Sequence, residues 1–195
     1  MEFDWELVKL KDIGRIVGGG TPSTKNDSYY GGDISWITPK DLSNYTGKFI
    51  SIGERSITEE GLENSSAKLL PEGTVLFTSR APIGYIAIAS TEVSTNQGFK
   101  SIVPNERTTS EFLYYLLKHN TDIIINMSSG STFKEVSGTV MKDIEVLLPP
   151  LSTQIKISEV LSTIDKKIDL NRRIIENLEA QAQAIFKSWF VDFEP

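Results

Sequence analysis

From Ser152 to about Trp189 one set of positions recurs by alternate steps of four and three: Ile157, Leu161, Ile164, Ile168, Asn171, Ile175, Leu178, Ala182, Ile185 and Trp189. Asn171 is the single polar member, and neither Pro nor Gly interrupts the stretch. A 3.5-residue period held this long marks the seam along which one helix packs on another. Pro149-Pro150 set a sharp start, with Ser152 expected as the N-cap. At about 1.5 Å per residue the helix is roughly 57 Å long, more than a domain of this size needs for its own core. A long amphipathic helix folded onto its own domain is the plainer reading. A broad core face, however, follows a 3.6-residue period, whereas this strict seam asks for a partner helix.

The chain has 195 residues, enough for one ordinary domain plus that helix. Cys is absent, which excludes disulfides, thiolate metal sites and a Cys nucleophile, and the single His119 argues against a catalytic triad or a His-rich metal site. No apolar run is long enough to span a membrane and the first residues are acidic, so a cytoplasmic protein is expected. Net charge is -6, divided as -5 over residues 1–151 (14 basic, 19 acidic) and -1 over 152–195 (6 basic, 7 acidic). Autonomous, non-specific nucleic-acid binding needs a basic surface. Any such role here must use a local patch or positive surface borrowed from a partner.

The rest of the chain reads as a mixed α+β domain to about residue 150. A short strand and turn is expected over 5–16, and strands over 33–37, 74–78, 83–88, 99–103 and 143–148. A short helix is expected near Thr58–Leu62. Another, Glu111–Lys118, is capped by Thr109 or Ser110, buries Phe112, Leu113, Leu116 and Leu117, and ends at His119, where a cation suits the helix dipole.

Catalytic motifs are missing. Leu148-Pro149-Pro150-Leu151 lacks the polar first and aromatic last residues of an adenine methyltransferase motif, and no G-x-G cofactor loop follows a strand. Asp165-Lys166-Lys167, the one acid-x-Lys match to a nuclease pattern, lies in the middle of the long helix and reads as a solvated face. Gly18-Gly19-Gly20 could cradle phosphate through backbone N–H groups, but no P-loop Lys follows. Adjacent Glu59 and Glu60 read as solvated surface rather than an acid–base pair. What remains is a set of donor-rich loops: Thr21, Ser23, Thr24, Lys25 and Asn26; Ser79 and Arg80; Asn96, Gln97 and Lys100; Ser131, Thr132 and Lys134; with Lys40 after a strand end. Asn and Gln can read adenine edges, Arg can read guanine, and Ser, Thr and Lys can hold phosphates. Taken singly, each loop is more readily an ordinary turn that satisfies its own backbone.

The order of parts resembles one half of the specificity subunit of type I restriction–modification systems. The resemblance rests on Trp5-Glu6-Leu7-Val8-Lys9-Leu10 with Gly18-Gly19-Gly20-Thr21-Pro22-Ser23, and on Ile34-Ser35-Trp36-Ile37-Thr38-Pro39-Lys40-Asp41-Leu42. It continues through Gly73-Thr74-Val75-Leu76-Phe77-Thr78-Ser79-Arg80-Ala81-Pro82-Ile83-Gly84, Thr95-Asn96-Gln97-Gly98-Phe99, and Leu147-Leu148-Pro149-Pro150-Leu151-Ser152-Thr153-Gln154-Ile155-Lys156-Ile157. It implies a target recognition domain over residues 1–150 and a helical spacer over 151–195, in a non-catalytic subunit. Family members usually carry this unit twice, with antiparallel helices and two domains reading the halves of a split double-stranded DNA site. Two methyltransferase subunits supply catalysis with S-adenosylmethionine, so no cofactor is expected on this chain, and a motor/nuclease subunit joins for restriction. This chain has one unit, and Phe193-Glu194-Pro195 looks like the point where a longer member would continue. Its lone seam then suggests an antiparallel homodimer with Asn171 facing its copy near the two-fold axis. A rod of roughly 57 Å spans about 17 base pairs at 3.4 Å each. The alternative is a coiled-coil inhibitor that pairs with a full-length specificity subunit without reading DNA.

Overall fold

The computed structural model describes residues 4–80, 82–128 and 134–194. Its elements are β1 (Glu6–Lys9), α1 (Leu10–Ile13), β2 (Gly14–Gly18), a 3₁₀ turn (Asp27–Tyr29), β3 (Tyr30–Ile37), α2 (Pro39–Ser43), β4 (Phe49–Ile50), β5 (Arg55–Ile57) and α3 (Glu59–Glu63). They continue with β6 (Val75–Phe77), β7 (Ile86–Ala89), β8 (Ser94–Thr95), β9 (Lys100–Pro104), α4 (Ser110–Asn126), α5 (Gly138–Asp143), β10 (Glu145–Leu148) and α6 (Leu151–Phe190). The chain divides into two compact units, Met1–Ile155 and Lys156–Pro195.

The first unit is built on a five-stranded sheet in the order β2-β9-β6-β7-β4, antiparallel except for the β7–β4 pair. A three-stranded sheet, β5-β3-β8, stands beside it, and β1 pairs with β10 to bring the first and last strands together. The architecture is thus α+β with mixed sheets and short helices. Val75-Leu76-Phe77 is buried on both faces, which explains its continuous apolar run. Leu76, Phe99, Ile37, Leu42, Ala87 and Val93 share its core. A smaller cluster, Trp36, Ile57 and Ala67, packs against Tyr30 and Ile34.

Hydroxyl caps set the helix starts. Thr58 accepts from the Gly61 N–H (3.1 Å), Thr109 from Phe112 (3.1 Å) and Ser137 from Val140 (3.2 Å). The helix expected over 111–118 runs on to Asn126, so His119 lies exposed within α4 rather than at a dipole-stabilised end. The segment after His119 contains no Gly or Pro to stop it, and Ile124 supplies a further buried position. Leu116 is only half-buried, while Tyr114 and Tyr115 are buried in its place. The strand expected from residue 83 starts at Ile86 because Gly84 adopts a left-handed turn at φ 101°.

The long helix starts two residues earlier than a Ser152 N-cap would give. Leu151 opens α6, Ser152 falls within its first turn, and the Pro150 carbonyl accepts from the Thr153 (2.8 Å) and Gln154 (3.0 Å) N–H groups. Gln154 fastens this start inside the first unit. Its fully buried amide donates to the Arg107 and Pro149 carbonyls, both at 2.9 Å, and accepts from the Thr108 hydroxyl at 3.0 Å. Gln154→Ala leaves those buried groups without their partner, and should destabilise the first unit by about 2–3 kcal/mol in a urea titration.

In the second unit, seam residues Ile164, Ile168, Ile175, Leu178, Ile185 and Trp189 are 44–58% exposed, and Asn171 and Ala182 are exposed with them. Ile157 and Leu161 are half-buried. Phe186 and Phe190 stack at 5.2 Å between ring centres, beyond which Asp192 and Glu194 N–H groups close onto the Lys187 and Ser188 carbonyls.

Candidate nucleic-acid interface

The donor-bearing loops, far apart in sequence, converge at one end of the β2–β9 pair. β2 delivers the glycine loop at the end where Gly18 faces Lys100. From there the Gly19 N–H reaches the Phe99 carbonyl (3.4 Å) and the Gly20 N–H reaches Thr95 (2.9 Å). The Ser79 N–H donates to the Gly98 carbonyl (2.7 Å), and the Val136 N–H to Ser79 (2.9 Å). Main-chain hydrogen bonds therefore join the loops around 19–26, 79–80, 95–100 and 134–136 into one surface.

Aromatic side chains hold the glycine loop from beneath. Trp36 Nε1 donates to the Gly20 carbonyl at 3.0 Å and the Tyr30 hydroxyl to the Pro22 carbonyl at 2.8 Å. The Arg55 guanidinium lies 4.3 Å above the Tyr30 ring, a cation–π contact that steadies it. Gly19 and Gly20 serve close packing. A Cβ on Gly19 would stand 1.9 Å from the Asn96 carbonyl oxygen, and one on Gly20 2.2 Å from the Ala67 nitrogen.

The individual candidates separate on these details. Thr21 donates to the Gln97 amide oxygen, fixing an exposed amide whose NH₂ group gives no hydrogen bond among the described residues. Asn96 spends its oxygen on the Gly98 N–H at 2.9 Å, an Asx turn. Asn26 caps the 3₁₀ turn through Ser28 (3.2 Å), and the Ser23 hydroxyl accepts from Lys25 N–H at 3.4 Å, so both have structural work within the loop. Thr24, Lys25 and Lys134 are exposed, and the two lysines form no ion pair among the described residues. Lys40 is exposed and paired with Glu54 at 2.6 Å. Its helix is set by Asp41, whose carboxylate accepts from the Thr38 N–H (2.7 Å) and the Glu54 N–H (2.7 Å). Ser79 has to be withdrawn as a direct contact: it is fully buried, and its hydroxyl donates to the Gly98 carbonyl at 3.2 Å. Ser131 and Thr132 lie outside the described residues.

Glu135 is the component that sequence reading passed over. It pairs with Arg80 Nε at 3.0 Å and Lys100 Nζ at 3.5 Å. Its position after Lys134, at the end of a donor-rich loop, was the available signal. Of the basic candidates, Lys40 is thus paired with Glu54, and Arg80 and Lys100 share Glu135. Among the described residues no His/Cys/Asp/Glu group could hold a metal ion, and no helix is long and apolar enough to cross a membrane.

Comparisons with known proteins agree with this arrangement of parts. Residues 2–180 match the family model described as the type I restriction modification DNA specificity domain, a recognition module rather than a catalytic one. The chain is 50% identical over 194 residues to the type I restriction enzyme MjaIX specificity subunit of Methanocaldococcus jannaschii, covering 98% of this chain and 45% of that protein. It is 26% identical over 189 residues to the EcoR124I/EcoR124II specificity subunit of Escherichia coli, covering 93% and 45%. Among solved structures, the HsdS subunit from Thermoanaerobacter tengcongensis has the same fold, with a TM-score of 0.67 at 21% identity over 95% of this chain and 44% of that one. The S subunit of the type I system from M. genitalium gives 0.67 at 14% identity, over 97% and 46%. The chain spans about half the length of these relatives. With a specificity-domain match over nearly its whole length and half of its residues shared with a specificity subunit, the chain belongs to the type I restriction–modification DNA specificity family.

Proposed function

We propose that this chain reads one half of a bipartite double-stranded DNA target and pairs through its long helix with a second copy. The observation that carries the reading is the union of two features: four donor-bearing loops joined by main-chain hydrogen bonds, and an apolar seam left exposed along α6. Two units paired antiparallel would present two identical reading surfaces, so the preferred site is an inverted repeat with a fixed spacer. Val160, Leu170, Ile174 and Phe186 are exposed apolar residues of α6 outside the seam, and they remain available to methyltransferase subunits. Those subunits would bring S-adenosylmethionine and positive surface, while this chain binds no cofactor. A motor/nuclease subunit would complete the assembly for restriction.

Selection from a randomised duplex library, with the chain alone and together with its methyltransferase subunit, tests this directly. Two inverted half-sites at one spacing support the proposal. No enrichment in either preparation would leave a pairing module that does not read DNA. Within the pair, Asn171 is proposed to face its copy near the axis and set register at some cost in stability. Asn171→Leu should therefore tighten self-association while admitting altered registers or orientations. Unchanged oligomer size and orientation, in solution and in a crystal, would sink the register role.

A further inference from the structure

We infer that Arg80 reads a guanine and that Glu135 is the positioning residue that aims it. This rests on the DNA-reading function proposed above and adds the base, the reader and its support. Arg80 and Glu135 face each other across an antiparallel bridge, so their backbones are fixed relative to one another. The Glu135 carboxylate forms an ion pair with the Arg80 guanidinium on its Nε side, at 3.0 Å, and its other oxygen faces Lys100 Nζ at 3.5 Å. Among the described residues, that contact is the only ion pair or side-chain hydrogen bond given by the guanidinium. Among the described residues, neither Nη group gives a hydrogen bond.

The choice of nitrogen decides what the side chain can do. A guanidinium held through Nε keeps its two terminal nitrogens as a planar fork, whose spacing suits the O6 and N7 acceptors of guanine in the major groove. A carboxylate gripping both Nη groups would have consumed that fork. Lys100 has a side chain only 16% exposed, against 48% for Arg80, so it balances Glu135 from below while Arg80 reaches outward. Fixing the guanidinium beforehand also reduces the ordering cost of an otherwise mobile side chain.

The test is the duplex selection repeated with wild type, Arg80→Lys and Glu135→Ala in about 0.1 M salt, where phosphate contacts are not overwhelming. Wild type should enrich guanine at one position of each half-site. Arg80→Lys keeps the charge but loses the fork, so that preference should fall about 10- to 100-fold, with affinity for unrelated duplex changed by less than about threefold. Glu135→Ala should weaken the same position about 3- to 10-fold and leave the others alone. A uniform loss across all sequences in Arg80→Lys would make Arg80 a phosphate contact and overturn the inference. So would an unchanged guanine preference in either variant. Absence of any enriched sequence in wild type would instead overturn the DNA-reading function itself, so the two failures are separable.

Discussion

Gly19→Ala and Gly20→Ala are each expected to cost about 3 kcal/mol or more, whereas Gly18→Ala should change stability by less than about 1 kcal/mol. The three glycines are adjacent but differ in surroundings. A Cβ on Gly18 meets nothing within 4 Å, so that substitution is sterically free. On Gly19 the added carbon would lie 1.9 Å from the Asn96 carbonyl oxygen, 2.4 Å from Thr95 Oγ1 and 2.5 Å from the Thr95 carbonyl oxygen. On Gly20 it would lie 2.2 Å from Ala67 N and 2.4 Å from Ser66 C. These neighbours are mostly main chain and cannot swing aside, so the loop must move away. That movement breaks the Gly20–Thr95 and Gly19–Phe99 hydrogen bonds that hold the glycine loop against the 95–100 loop. Urea midpoints measure the first consequence. Sequence-selective DNA binding measures the second, and should fall further in Gly19→Ala than in Gly18→Ala.

The other large effect is expected in the second unit. Introducing Ile168→Asp together with Ile175→Asp should raise the dissociation constant of the self-paired chain at least about a thousandfold. An uncompensated charge forced into a desolvated interface costs about 3–5 kcal/mol. Both positions lie on the exposed seam, at 44% and 54% exposure, so nothing in the single chain packs tightly on them. The helix itself tolerates Asp at a cost of about 0.7 kcal/mol per residue relative to Ala. The first unit should keep its wild-type urea transition. Sedimentation across a concentration series separates this loss of pairing from unfolding.

What the sequence disclosed follows from the range of the interactions involved. The seam of α6 has ten positions over more than four heptads, and nine apolar ones leave little room for another period, so the helix was legible to within a residue or two at either end. Its cap position moved from Ser152 to Pro150, whose carbonyl, rather than a hydroxyl, starts the first turn. The central strand Val75–Phe77 and the helix α3 after Thr58 were legible for similar local reasons. The end of α4 was not. Nothing after His119 signals a stop, and the buried Ile124 that rewards continuation is a tertiary fact. Two-residue strands such as Phe49–Ile50 and Ser94–Thr95 carry almost no local signal, because their partners make them strands.

The proposed DNA-reading surface was legible as a list of loops but not as a division of labour. Residue type identified Arg80, Gln97 and Lys100 as donors, yet type alone cannot say that Gln97 is oriented by Thr21 or that Lys100 lies mostly covered. Ser79 shows the limit most plainly: a hydroxyl beside an exposed Arg proved to be fully buried. Glu135 escaped notice because an acidic residue looks out of place on a DNA-binding surface. Its value becomes visible only when the distance to Arg80 Nε is known.

The most direct test of self-pairing by a single recognition unit is the light-scattering mass of the purified chain over a concentration series, then with its methyltransferase subunit added. A mass of about twice 21.7 kDa, taking up two methyltransferase subunits, is the predicted result. A monomer of 21.7 kDa at every concentration, binding one methyltransferase subunit, would contradict it and assign the exposed seam to a different partner.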